Sequence, residues 1–155
     1  MNDLARGVGE ALKARGERLA TAESCTGGWV AMALTSIPGS SDWFERGYVT
    51  YSNDAKREDL GVAEATLRQY GAVSEQVARE MAAGAARRAR VQVALAVTGV
   101  AGPAGGTRDK PVGLVCFAWA HGSKITSETR RFDGDRDSVR RQSVVHALER
   151  VRELL

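Results

Sequence analysis

The stretch Arg18-Leu19-Ala20-Thr21-Ala22-Glu23-Ser24-Cys25-Thr26-Gly27-Gly28 decides the fold class. Residues 18–22 alternate enough to predict a first strand, and the dense cluster from Glu23 to Gly28 reads as a tight turn. Helical spacing resumes with Trp29, Met32 and Ala33 and stops before Pro38. A strand, a glycine-rich turn and a helix in succession are the building unit of an open α/β sheet. In such sheets ligands bind beyond the carboxyl ends of the strands.

Working outward, Leu4, Val8 and Leu12 recur at i, i+4 and i+8 and predict a helix over residues 2–15 that Gly16 stops. Residues 37–42 read as a loop. The aromatic and β-branched segment 43–51 reads as a second strand. Helical patterns follow over 54–60 and 64–70, and Ser74 is a plausible N-cap for a longer helix. In that helix Ala78, Met81, Ala82, Ala85 and Ala89 share an apolar face, with Arg79, Arg87 and Arg88 facing water. The apolar run 91–97 predicts a buried strand, and residues 98–111 a loop. Strands over 113–120 and 126–132 flank a hairpin-sized turn at His121-Gly122-Ser123. A last helix from about Asp135 carries Val144, Leu148, Val151 and Leu155 on one face. Helices on both sides of a mixed, mostly parallel sheet of about five strands give a three-layer α/β/α sandwich.

The chain has 155 residues, enough for one domain to bury a core without disulfides, and residues 1–155 are expected to form a single domain. No apolar run approaches the length needed to span a bilayer, and no signal-peptide pattern is present. Cys25 lies in the glycine-rich turn and Cys116 in an apolar run. Their separation matches no metal site, so a reduced, cytoplasmic protein is expected. The net charge is +3, from 18 Arg and 4 Lys against 19 acidic residues. The arginines are spread along helices beside acidic partners and aromatics make up 6% of the chain, which argues against a nucleic-acid surface. A modest basic excess suits a small anionic substrate. A homo-oligomer is compatible with the sequence, but no pattern specifies one.

Two segments carry chemistry. Ser24, at the predicted end of the first strand, would be held exposed on its turn. Free N–H groups around Cys25, Thr26 and Gly27 could there stabilise the oxyanion of a tetrahedral intermediate. A plain helix cap by Ser24 or Thr26 explains the spacing equally well, and Cys25 is a rival nucleophile. Neither His121 nor His146 is placed to serve as base. The second segment ends the second strand at Tyr51, with Lys56 on the next helical turn. If both strands end at one sheet edge, a desolvated Lys56 can deprotonate a serine, with Tyr51 nearby to relay a proton. A solvated Lys56 and a core Tyr51 remain the plainer alternative.

Together these segments resemble the C-terminal domain of the competence/damage-inducible protein CinA, a family that includes bacterial nicotinamide mononucleotide deamidases. The matching stretches are Thr21 to Gly28, Gly39 to Gly47, and Val49 to Asn53 with Lys56. Further on they are Gly71 to Ser74, Thr98 to Pro103 with Gly105-Gly106, Lys110 to Gly113, and Gly134-Asp135-Arg136. The resemblance covers essentially the whole chain. It implies hydrolysis of the carboxamide of nicotinamide mononucleotide to nicotinic acid mononucleotide and ammonia, without a cofactor. It maps the family's serine nucleophile onto Ser24, its lysine onto Lys56 and its tyrosine onto Tyr51. It also implies the stand-alone form, without the pyrophosphatase domain of larger CinA proteins. The rival readings are a non-catalytic nucleotide-binding module of the same fold and an amidase for a different small amide.

For such a substrate the glycine-rich loop, with Thr98, Gly99, Ala101, Gly102, Gly105 and Gly106, is expected to line the pocket. Arg136, Arg140 and Arg141 are the candidate phosphate partners, the last two about 100° apart on a helix. Asp133, Asp135 and Asp137 imitate a calcium loop. That pattern wants Gly and Glu at its sixth and twelfth positions, where Ser138 and Val144 stand, so no metal is expected. The acidic residues suit a helix N-terminus.

Overall fold

A computed structural model describes residues 1–155. The helices are α1 (Asn2–Arg15), α2 (Trp29–Thr35), α3 (Asn53–Leu60), α4 (Glu64–Tyr70), α5 (Glu75–Ala89) and α6 (Arg136–Leu154). The strands are β1 (Leu19–Glu23), β2 (Phe44–Val49), β3 (Val93–Gly99), β4 (Leu114–His121) and β5 (Lys124–Arg131), and Ser40–Asp42 form a 3₁₀ turn inside the expected loop.

The strands make one mixed sheet in the order β2-β1-β3-β4-β5. β1 pairs in parallel with both β2 and β3, whereas β4 pairs antiparallel with β3 and β5. Four strands therefore run one way and β4 alone runs back. The hairpin is tighter than the sequence suggested. His121 pairs with Lys124 as the last residue of β4, which leaves a two-residue turn with Gly122 at φ 60°.

The apolar run of β3 hides a period of two. Val93, Leu95 and Val97 point to one face, while Ala94 and Ala96 point to the other. β4 repeats the division, with Val115, Phe117 and Trp119 against Cys116, Ala118 and Ala120. The large side chains pack under α1, α2 and α6, and the alanine face admits α5 with its own Ala78, Ala82 and Ala85. These are the three expected layers.

Caps and stops follow local chemistry. Gly16 closes α1 in the left-handed conformation, the Ser74 hydroxyl accepts from Val77 N–H, and Asp135 accepts from Ser138 N–H at the start of α6. α2 departs from its expected face. Met32 is 60% exposed, and the helix buries Val30, Ala33 and Leu34 instead. Seven residues are too few for spacing alone to orient a helix.

The crossover from β1 to β2 runs through α2 on one face. The crossover from β2 back to β3 runs through α3, α4 and α5 on the other. β1 therefore lies between β2 and β3, with the two crossovers on opposite faces, and a crevice opens at the carboxyl ends of these three strands.

Candidate active site

The crevice holds a cavity of about 310 Å³. The turn after β1 supplies Ser24 and Cys25, and the segment after β2 supplies Tyr51, Asn53 and Lys56. Ala72 and Val73 come from the entrance to α5, Thr98 and Gly99 from the end of β3, which runs two residues into the expected loop, and Val100 to Gly102 with Ala104 and Gly105 from the glycine-rich loop. Arg136 opens α6. A wider cavity near Lys110 and Cys116 lacks a hydroxyl paired with a buried amine, so chemistry and not size selects the site.

Lys56 is 1% exposed, although it lies in a strongly charged helix. Its ammonium nitrogen Nζ donates to Ser24 Oγ at 3.0 Å and to the Thr50 carbonyl at 2.7 Å. The second bond rests on a register. Thr50 N–H donates to the Glu23 carbonyl, so the residue after β2 is laid alongside the end of β1. Burial disfavours the charged amine and lowers the Lys56 pKa from 10.5 to about 8. The solvated-lysine alternative is thereby excluded.

The turn itself differs from expectation. Gly28, at φ 100°, is the N-cap of α2, and neither Ser24 nor Thr26 caps the helix. Gly27 N–H is not free for an oxyanion, because it donates to the Ser24 carbonyl at 3.0 Å. The N–H groups of Cys25 and Thr26 donate to no backbone carbonyl or side chain. Burial pushes the Cys25 thiol up to about 12, far from the thiolate range a nucleophile needs.

Tyr51 is not a core aromatic. It is 62% exposed at the rim, and its hydroxyl accepts from Arg136 at 3.0 Å, bonded to neither Ser24 nor Lys56. Arg136 also donates to the Gly102 carbonyl at 2.8 Å, so it ties the tyrosine to the glycine-rich loop. The two remaining arginines lie elsewhere. Arg140 donates to the carbonyls of Cys25 and Thr26 at 3.1 and 3.2 Å and stacks over Trp29. Arg141 lines a different hollow with Phe132 and Val145. Thr98 and Gly99 at the end of β3 and Ala101, Gly102 and Gly105 in the loop line the cavity, and Thr98 Oγ1 donates to the Ala72 carbonyl. Gly106 does not line it. A Cβ there would stand 2.8 Å from Val112 N, so this glycine lets the loop fold against itself.

Sequence reasoning missed Asn53 and Glu23. Asn53 sits at the cavity wall in the matched segment. Glu23 is wholly buried, and its carboxylate accepts from the Thr26 hydroxyl, Val30 N–H and Ala31 N–H. A carboxylate just before a helix start was the available signal. Both histidines lie outside the site, His121 bonded to Glu17 and His146 to Glu128.

The family profile of the CinA C-terminal domain matches residues 1–155. The chain belongs to the CinA C-terminal domain family. It is 57% identical over 148 residues to nicotinamide-nucleotide amidohydrolase PncC of Escherichia coli strain K12, covering 94% of this chain and 89% of that one. It is 53% identical over 146 residues to the PncC protein of Pseudomonas putida, covering 94% and 91%. Among solved structures, a CinA superfamily protein from Escherichia coli superposes with a TM-score of 0.97 at 40% identity, covering 99% of this chain and 90% of that one. The competence/damage-inducible protein from Agrobacterium tumefaciens gives 0.95 at 48%, covering 99% and 94%. This CinA-family chain is an amidohydrolase. None of its helices is long and apolar enough to cross a membrane.

Proposed function

We propose that this chain hydrolyses the carboxamide of nicotinamide mononucleotide to nicotinic acid mononucleotide and ammonia, with Ser24 as nucleophile and Lys56 as base. The observation that carries the reading is the buried Lys56 nitrogen 3.0 Å from Ser24 Oγ. The names of the PncC relatives support the substrate.

Once Lys56 is neutral, the Ser24–Lys56 contact reverses and Ser24 O–H donates to the amine. Nζ takes that proton as Oγ attacks the carboxamide carbon, and the carbonyl π electrons move onto oxygen. The N–H of Cys25, which lines the cavity, receives the oxyanion. When the tetrahedral intermediate collapses the C–N bond breaks, and the lysine returns its proton to the leaving nitrogen, which departs as ammonia. A water then gives a proton to Lys56 and attacks the acyl-enzyme. Collapse of that second intermediate releases the carboxylic acid and restores the Ser24 hydroxyl.

Arg136 is the phosphate partner in this reading, because it is the candidate arginine that faces the cavity. Tyr51, held by Arg136, walls the substrate at the rim, and the proton transfers run through Lys56.

The test is ammonia release from a panel of nicotinamide mononucleotide, its phosphate-free riboside and unrelated small amides. The mononucleotide is expected to be the best substrate, and Ser24→Ala to abolish its turnover while leaving the unfolding transition intact. Near-wild-type release by that variant sinks the nucleophile. Tight binding without ammonia would mark a nucleotide-binding module instead.

A further inference from the structure

Glu23 carries more than its place in β1 requires. Strand alternation puts its side chain on the same face as Leu19, beneath α2, and leaves the carboxylate with no exposure to solvent. No lysine or arginine approaches it. Its partners are three donors of the following turn and helix. Oε1 accepts from the Thr26 hydroxyl at 2.6 Å and Val30 N–H at 2.8 Å, and Oε2 accepts from Ala31 N–H at 3.1 Å. A buried polar group left unpaired is costly, so this arrangement holds Thr26 firmly against the start of α2.

The consequence lies in the peptide planes. A trans peptide points its C=O and N–H in opposite directions. The Ser24 carbonyl is taken by Gly27 N–H, which turns the Cys25 N–H the other way. The Cys25 carbonyl is taken by Arg140, which does the same for the Thr26 N–H. Gly28 N–H has no acceptor either, but of these donors only that of Cys25 belongs to a residue lining the cavity, and the side chain that anchors the turn ahead of α2 is Thr26, bonded to Glu23.

We propose that Glu23 is a positioning residue for the acyl-transfer step, its carboxylate holding Thr26 so that the neighbouring N–H of Cys25, on the cavity wall, is preset for the oxyanion. This rests on Ser24 being the nucleophile. Preset donors act where charge develops, so their displacement lowers kcat and leaves ground-state binding in place.

The experiment uses the full chain and nicotinamide mononucleotide. Thr26→Val keeps the shape of the side chain and removes the hydroxyl that Glu23 accepts. It is expected to lower kcat about 10- to 100-fold with KM and the inhibition constant of the product within about twofold, since misplacing a catalytic group by about 1 Å can cost that much. Thr26→Ser is expected to restore most of the loss. Glu23→Gln puts an NH₂ against a backbone N–H or the threonine hydroxyl, and is expected to show the same split. If that variant fails to fold, the Thr26 pair decides the matter. A wild-type kcat in folded Thr26→Val, or parallel changes in KM and product inhibition, would overturn the positioning role. Ser24→Ala assayed alongside separates the two ideas, because activity in that variant removes the nucleophile whatever the Thr26 variants do.

Discussion

At the scale of single residues, the site turns on the protonation of one amine. Lys56 has a lone pair only when neutral, and burial sets its pKa near 8. A depressed amine is protonated below that value and free above it. With Lys56 as the proposed base, kcat/KM for nicotinamide mononucleotide is therefore expected to rise about tenfold per pH unit below about 8 and to level off above it. A profile flat from pH 6 to 9 would count against Lys56 as the base. Spacing alone left Ser24 level with a helix cap and Lys56 more simply read as solvated, and it is the family resemblance that singled out the two residues. The division among the arginines was not readable. Arg136 and Arg140 sit one helical turn apart, and only the position of α6 against the turn decides that Arg136 faces the cavity while Arg140 grips main-chain carbonyls.

At the scale of elements, close approach between helices positions Lys56. α3, which carries Lys56, packs on α5 at Gly84, where a Cβ would come within 1.9 Å of the Leu60 carbonyl oxygen. In an open helix Gly→Ala stabilises by about 1 kcal/mol. Here the backbone oxygen leaves no room, so Gly84→Ala is expected to destabilise the fold in urea titration, reversing the sign of the propensity effect. It should also weaken turnover, because α3 must move. A stabilised Gly84→Ala protein would mean that the contact yields easily. α5 could be outlined from its alanine face and the Ser74 cap, since both are local signals. The contact at Gly84 was not visible, because a glycine within a helix looks the same whether it is exposed or pressed against a neighbour.

At the scale of the molecule, two apolar clusters lie on opposite faces of one sheet. Met81 anchors the α5 face and Leu148 the α6 face, both fully buried. Truncating either to alanine is expected to cost about 2–5 kcal/mol. With no shared cluster the two losses should add to within about 0.5 kcal/mol in the double variant, provided that variant still folds enough to measure. Strong coupling between them would show that the sheet transmits strain from one face to the other. The crevice exists because β1 lies between β2 and β3 with the two crossovers on opposite faces, so the site depends on the strand order as a whole.

The sequence by itself determined the kinds of element, nearly all their bounds, the three layers and the family pattern that points to Ser24, Tyr51 and Lys56. Those follow from periodicity, caps and motif order, which neighbouring residues set. Tertiary structure alone decided that β1 lies between β2 and β3, that Tyr51 is bonded to Arg136 and not to Ser24, and that Gly27 N–H is already spent within the turn. It also turned the unremarked Glu23 into the anchor of that turn. Each of these depends on contacts between segments that meet only when the sheet closes. Burial, which lowers the Lys56 pKa, is likewise a property of the whole fold and not of the residue.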